Sequence, residues 1–337
     1  MPYNEDLTVN YAGVDAHCRD LAVHGVPFAF SASPRPPPAA RRSRAALTTT
    51  HNPPPFPRTR AVNGTTGDSM ILREEERKLL AEAWVAAGKK YGVRVVNHIG
   101  AQGLAETCEL AKHAQAAGCD AICAMAPQFF KTSGARGLAL WLKEVGAAAP
   151  KLPLYYYNFP AITGVDTRPD HLIAALEEVG CPTFRGMKFT EFNCWYFMNC
   201  LRQSGGIYDI AYGRDECLLA GLATGAKGHI GNGFNFAAGV YQRIREAFAK
   251  GDVAAAQMWQ ERANTTVNIM NDARFGGQGL AVSRLMYEMK GAVALGPPRA
   301  PFAPLTAAQR EALAAELKRV GFFEWCDGGL PLKEVGV

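Results

Sequence analysis

The chain has 337 residues, 48% of them hydrophobic and 20% charged, enough to bury a large core as one α/β unit or two smaller domains. No apolar run reaches the roughly 18 to 20 residues of a membrane span, and MPYNEDLTV lacks the basic start and apolar centre of a signal peptide, so a cytoplasmic protein with no membrane partner is expected. The formal charge of +5 does not mark a nucleic-acid binder either: residues 31 to 61 carry six arginines and no acid, and without them the chain stands at −1.

In chain order, VDAHCRDLAVHGV (14 to 26) has a helical pattern ending in Gly25, and VPFAF (26 to 30) opens a strand. Residues 31 to 61 then hold eight prolines and lack apolar spacing, which predicts a disordered Pro/Arg-rich insertion. Only Phe56 could stack on a base there, so no nucleic-acid partner is expected. Joining VPFAF to VNGTTGD (62 to 68) gives one ordinary buried strand that ends in a glycine and threonine turn.

From there β-rich runs alternate with helical patterns. VRVVNHIG (93 to 100) precedes a helix over 104 to 117, AICAMAP (121 to 127) one over 136 to 147, and LPLYYYNF (152 to 159) one over 169 to 179. FRGMKFT (184 to 190), YDIAYG (208 to 213) and AKGHIGN (226 to 232) follow, each before a helix-compatible stretch. Strands so spaced form a parallel sheet with right-handed crossovers, as an open doubly wound sheet or a (β/α)8 barrel. No G-x-G-x-x-G follows the first strands, and the polar residues Asn97, His98, Tyr157, Asn158, Lys188, Thr190 and Asn232 fall at strand ends, which favours the barrel. The expected organisation is a partial barrel start over 1–30 (the first helix and part of strand two), the insertion over 31–61, the rest of the barrel over 62–250 and a C-terminal helical region over 251–337. Counted this way the barrel has seven strands, one of them interrupted.

Nine cysteines are scattered through apolar runs without a C-x-x-C pair, which reads as reduced core. Cys119 and Cys123 are the closest pair, but no histidine cluster accompanies them, so no zinc site is expected there. No cofactor is expected either.

In RGMKFTEF (185 to 192), Lys188 stands among Met187, Phe189 and Phe192. A buried ammonium loses solvation, and a neutral amine is the nucleophile that forms a Schiff base with a ketone. Spacing alone equally allows Lys188 to snorkel at a strand end or to pair with Glu191. YYYNFPAITG (155 to 164) places Tyr157 at the preceding strand end, where a phenol could pass protons, although a run of tyrosines also suits core and interface packing. The turn NGTTGD (63 to 68) offers Thr65, Thr66 and backbone N–H groups to a carboxylate, or it is a glycine turn with capping threonines.

VNGTTGD, YYYNFPAITG, GMKFT, YGRDE, GHIGNGFN and GPPRAPFAPLT, in this order, resemble the N-acetylneuraminate lyase and dihydrodipicolinate synthase superfamily of class I aldolases over about residues 3 to 325, apart from the insertion. The resemblance implies a TIM barrel, usually a homotetramer, without metal. It assigns Lys188 as the Schiff-base lysine, Tyr157 as the proton-transferring tyrosine, and Thr65 and Thr66 as the pair that holds the keto-acid carboxylate and relays protons. Thr190 would contact substrate, and Gly213, Asp215, Glu216 and Asn232 would hold the hydroxyl tail. Dihydrodipicolinate synthases carry an arginine shortly after the tyrosine motif, whereas this chain reads Pro160, Ala161, Ile162, Thr163, Gly164, the neuraminate lyase pattern. The expected activity is therefore cleavage of N-acetylneuraminate to N-acetylmannosamine and pyruvate.

Alternatives are a sibling pyruvate-dependent aldolase acting on another 2-keto-3-deoxy sugar acid, a dihydrodipicolinate synthase-like enzyme, or a non-catalytic barrel. Asn232 stands where the lyase usually has serine, Asp68 where glutamate is usual, and Phe129 and Phe130 where some members extend a tyrosine to a neighbouring subunit. MPYNEDLTVN resembles the segment after the family's first strand. A missing first strand and an interrupted second are thus expected, as from a late start and translated noncoding sequence, with residues 1 to 13 a candidate makeshift replacement.

Overall fold

A computed structural model describes residues 1–23, 59–291 and 293–326. Within them lie seven strands: β1 (Thr59–Val62), β2 (Arg94–His98), β3 (Ala121–Ala124), β4 (Leu154–Asn158), β5 (Phe184–Phe189), β6 (Asp209–Tyr212) and β7 (Gly228–His229). They form one sheet in the order β1 to β7, each pairing its neighbour in parallel. Among the described residues β7 does not pair with β1, so the sheet is a curled partial barrel. Helices cross between strands: α1 (Gly13–Val23), α2 (Glu74–Tyr91), α3 (Leu104–Ala117), α4 (Gly134–Ala148), α5 (Pro160–Thr163), α6 (Pro169–Val179), α7 (Cys194–Arg202) and α8 (Leu218–Ala223). α9 (Ala238–Ala249), α10 (Val253–Met270), α11 (Gly279–Met289), α12 (Ala307–Arg319) and α13 (Phe322–Trp325) follow among the described residues.

The strands carry apolar residues on both faces because parallel strands are covered on one side by helices and on the other by the barrel interior. All of Ala121–Ala124 and Leu154–Asn158 is accordingly buried. Helix ends are written locally. Three glutamates open α2, where Glu76 accepts from the Arg73 backbone N–H at 2.9 Å, and Gly92 closes it in the left-handed conformation.

The expected interruption is corrected at one boundary. Residues 59–61, counted within the insertion, are strand, with Ala61 facing Val96 and Val62 facing Asn97 in register. Pro57 is the last proline before them, and from there the short run Thr-Arg-Ala-Val has the β-branched ends of an ordinary strand, which the nearby arginines obscured. The expected strand over 26–30 and insertion residues 31–58 lie outside the described residues. Residues 1–13 do not join the sheet. Tyr3 makes one antiparallel bridge to Val9, and its N–H donates to Leu295 O at 2.8 Å.

That segment is held by charge. Arg284 on α11 donates to Asp68 at 2.9 Å, to Leu295 O at 3.0 Å and to Met1 O, while Tyr3 Oη donates to Asp68 at 3.1 Å. Arg299 grips Glu76 through both terminal nitrogens at 2.6 and 2.8 Å, which with the Arg73 N–H holds that carboxyl down at about 2.

Candidate active site

Tyr157 and Lys188 are register partners on β4 and β5, so their side chains leave the sheet on the same face about one strand spacing apart. Lys188 Nζ donates to Tyr157 Oη at 3.0 Å and lies 4.2 Å from the ring centroid. Tyr157 Oη in turn meets Thr65 Oγ1 at 3.2 Å. An amine, a phenol and a hydroxyl thus form one hydrogen-bonded file at the C-terminal edge of the sheet. Glu191, the alternative partner of Lys188, instead accepts from Asn158 Nδ2, and burial raises its carboxyl above the ordinary range.

The turn that carries Thr65 begins at Asn63, whose backbone is left-handed (φ 56°) and whose buried Nδ2 donates to Arg77 O at 3.0 Å and to Asn97 Oδ1 at 2.8 Å. The turn closes through Gly67 N to Gly64 O and Asp68 N to Thr65 O, at 3.0 and 3.1 Å. Its far end is clamped by the Asp68–Arg284 pair.

Beneath Tyr157, His98 at the end of β2 packs edge-on with ring centroids 6.0 Å apart. Met125 N–H donates to its Nε2 at 3.3 Å, and burial, reinforced by the Arg77 guanidinium, pushes its pKa down to about 3. The imidazole is therefore a neutral packing surface under the phenol.

Every residue named from the sequence as catalytic or substrate-binding lines one cleft of about 690 Å³. Thr190 follows β5, its N–H bonded to Asn158 O at 2.9 Å and its hydroxyl buried with no partner among the described residues. Gly213 has no room for a side chain: a Cβ there would stand 2.2 Å from Thr190 Oγ1 and 3.1 Å from Lys188 Cε. Asp215 is buried, accepts from Gly233 N–H at 2.7 Å, and sits so close to Gly231 that a Cβ on that glycine would meet Oδ1 at 1.3 Å. Burial pushes the Asp215 carboxyl up to about 6, helped by Glu216 and opposed by the Gly233 N–H and Lys188. Asn232 points its amide nitrogen at Met270 Sδ, 3.5 Å away. Thr66 lines the same cleft beside Thr65.

Two contributors escaped the sequence reading. Phe159 stacks on Tyr157 with centroids 5.7 Å apart, and the Arg214 guanidinium lies 5.1 Å from the Phe159 centroid and 4.2 Å from that of Phe192. The available signal for Arg214 was its place inside YGRDE, between two residues expected in the site.

A parallel sheet with a nucleophilic amine, proton-carrying hydroxyls and a donor-rich turn at one edge is equipped for imine chemistry on a keto acid. Comparison with known proteins agrees in kind. The chain is 36% identical over 265 residues to N-acetylneuraminate lyase of Rattus norvegicus, spanning 78% of this chain and 82% of that protein. It is 35% identical over 268 residues to the Homo sapiens protein of the same name, spanning 79% and 82%. Its fold superposes on the Proteus mirabilis N-acetylneuraminate lyase with a TM-score of 0.79 at 30% identity, covering 95% of this chain and 96% of that one. The Aliivibrio salmonicida sialic acid aldolase gives 0.81 at 27% identity, covering 95% and 94%. Residues 60–320 match the model of the dihydrodipicolinate synthetase family, and the chain belongs to that family.

Proposed function

We propose that this chain is a Schiff-base lyase that cleaves N-acetylneuraminate to N-acetylmannosamine and pyruvate. The observation that carries the reading is the file Lys188 Nζ, Tyr157 Oη, Thr65 Oγ1, joined at 3.0 and 3.2 Å. The identity to N-acetylneuraminate lyases supports the choice of substrate.

The turn at Thr65 and Thr66 holds the substrate carboxylate, presenting the neighbouring ketone to Lys188. Attack by the amine and loss of the ketone oxygen as water leave a protonated imine. Tyr157, having given its phenol proton to the departing ketone oxygen, takes as phenolate the proton from the hydroxyl on the fourth carbon. The bond between the third and fourth carbons breaks, its electron pair entering the imine to give an enamine while the sugar leaves as an aldehyde. Protonation of the enamine and hydrolysis of the imine release pyruvate and restore Lys188. Thr190, Gly213, Asp215, Glu216 and Asn232 line the part of the cleft that receives the hydroxylated tail, where carboxylates accept from hydroxyls.

The active form is a homotetramer in the cytoplasm. Phe129 and Phe130, 78% and 85% exposed in the loop after β3 beside the cleft residue Gln128, support burial against a second copy, and nine cysteines without a C-x-x-C pair suit a reducing compartment. The test is borohydride reduction in the presence of pyruvate, followed by peptide mass mapping, together with pyruvate release from N-acetylneuraminate and light scattering for assembly size. A reduced adduct on a residue other than Lys188 would rule the reading out.

A further inference from the structure

Arg214 is the one strongly basic side chain that the cleft wall presents after Lys188 among the described residues, and nothing in the mechanism above uses it. It follows Gly213, which packs on Lys188, and its guanidinium carbon lies 5.1 Å from the Phe159 ring centroid and 4.2 Å from that of Phe192. Its Nε is buried with no hydrogen-bond partner among the described residues, and its Nη1 reaches Glu216 only at 3.5 Å. A guanidinium packed against two aromatic rings, with donors left over, suits a planar acceptor. Its charge is already met by Glu216, so a second substrate anion would compete with that carboxylate, whereas a neutral carbonyl would not. Phe159, against which it packs, and Ile162 give the same cleft an apolar lining.

We infer that Arg214 determines specificity for sugar acids bearing an N-acyl group: the amide carbonyl accepts from the guanidinium and the acyl methyl lies on Phe159 and Ile162. This inference rests on the lyase reading and adds to it the residue that selects the acylamino substrate. The experiment measures kcat/KM by pyruvate release for N-acetylneuraminate and for the analogue with a hydroxyl in place of the acetamido group. Wild type, Arg214→Met and Arg214→Lys are compared, each on one sample, so a misfolded fraction cancels from the ratio of the two substrates. The wild type is expected to favour the acetamido substrate, the ratio to fall about tenfold or more in Arg214→Met, and Arg214→Lys to recover part of it. An unchanged ratio in Arg214→Met overturns the inference, as does a wild-type preference for the hydroxyl analogue. Preference for a terminally phosphorylated keto acid, lost in Arg214→Met, overturns it in favour of an anion subsite. Pyruvate from no substrate with the wild type would instead remove the lyase reading on which it stands.

Discussion

Lys188 and Tyr157 face each other across neighbouring parallel strands, the amine donating to the phenol oxygen at 3.0 Å. Because strand register sets this pairing, both groups are oriented before substrate arrives, and their loss should have separable effects. Lys188→Met should abolish the reducible pyruvate adduct and lower kcat by about 10³-fold or more. Tyr157→Phe keeps the nucleophile and should still form adduct, with kcat reduced about 10² to 10⁴-fold. Single-turnover mass spectrometry of the adduct beside steady-state pyruvate release distinguishes the two. Adduct formation by Lys188→Met would contradict the assignment.

Gly213 marks where the strand-end loop touches the nucleophile. A methyl there would press on Thr190 Oγ1 and on Lys188 Cε, both at the floor of the cleft. Gly213→Ala should therefore displace the amine by a fraction of an ångström and reduce kcat about 10²-fold. The melting temperature should fall as well, because Thr190 is buried and the Phe189 carbonyl oxygen stands 3.0 Å from the added methyl. Unaltered kcat would mean that the loop, rather than the nucleophile, gives way.

Much of this was legible because it is local. The helices over 104–117 and 169–179 fall where the sequence places them, since each is amphipathic and followed by a glycine in the left-handed conformation. Tyr157 and Lys188 were readable as neighbours because barrel chemistry collects at strand ends, whereas Thr65 was pointed to by the turn NGTTGD and the family resemblance. The start of β1 was hidden by arginines and a nearby proline run that read as one unstructured block. The clamp of Tyr3, Asp68 and Arg284 spans 65 and 216 residues of chain, and no periodicity reports contacts at that separation. Arg214 drew no reading of its own from the sequence, because its two aromatic neighbours, Phe159 and Phe192, come from other loops. The Lys188–Glu191 alternative fell because Asn158, one strand away, takes the carboxylate.

Asp215 makes stability depend on pH. Its carboxyl rises from an ordinary 3.8 to about 6 because burial disfavours the charged form. Between about pH 4 and 6 the folded chain keeps a proton that the unfolded chain has released, so this group's contribution falls as pH rises through that window and is level above it. The difference amounts to about 3 kcal/mol. Asp215→Asn still accepts from Gly233 N–H and carries no charge, so its melting temperature relative to wild type should climb between pH 4 and 7 and then hold constant. A relative melting temperature that stays flat across the same range would show that the carboxylate is solvated in the folded protein. Weaker binding of hydroxylated substrates should accompany the substitution, since an amide accepts less strongly than a carboxylate.

Arg284 ties the donor turn to the C-terminal helices and the first residues of the chain. Both it and Asp68 are buried, with 8% and 5% of their side chains exposed, and the guanidinium also satisfies the carbonyls of Met1 and Leu295. Removing one partner of such a pair strands the other charge in the interior, which costs about 3–5 kcal/mol, whereas removing a surface pair costs at most about 1. Arg284→Met should lower the urea midpoint accordingly with little change in slope. Asp68→Asn leaves an acceptor for Arg284 and for Tyr3 Oη and should cost less. In the folded fraction of Arg284→Met the turn bearing Thr65 and Thr66 loses its far anchor, so KM should rise more than kcat falls. A loss of about 1 kcal/mol or less in Arg284→Met would show that water reaches the pair and screens it.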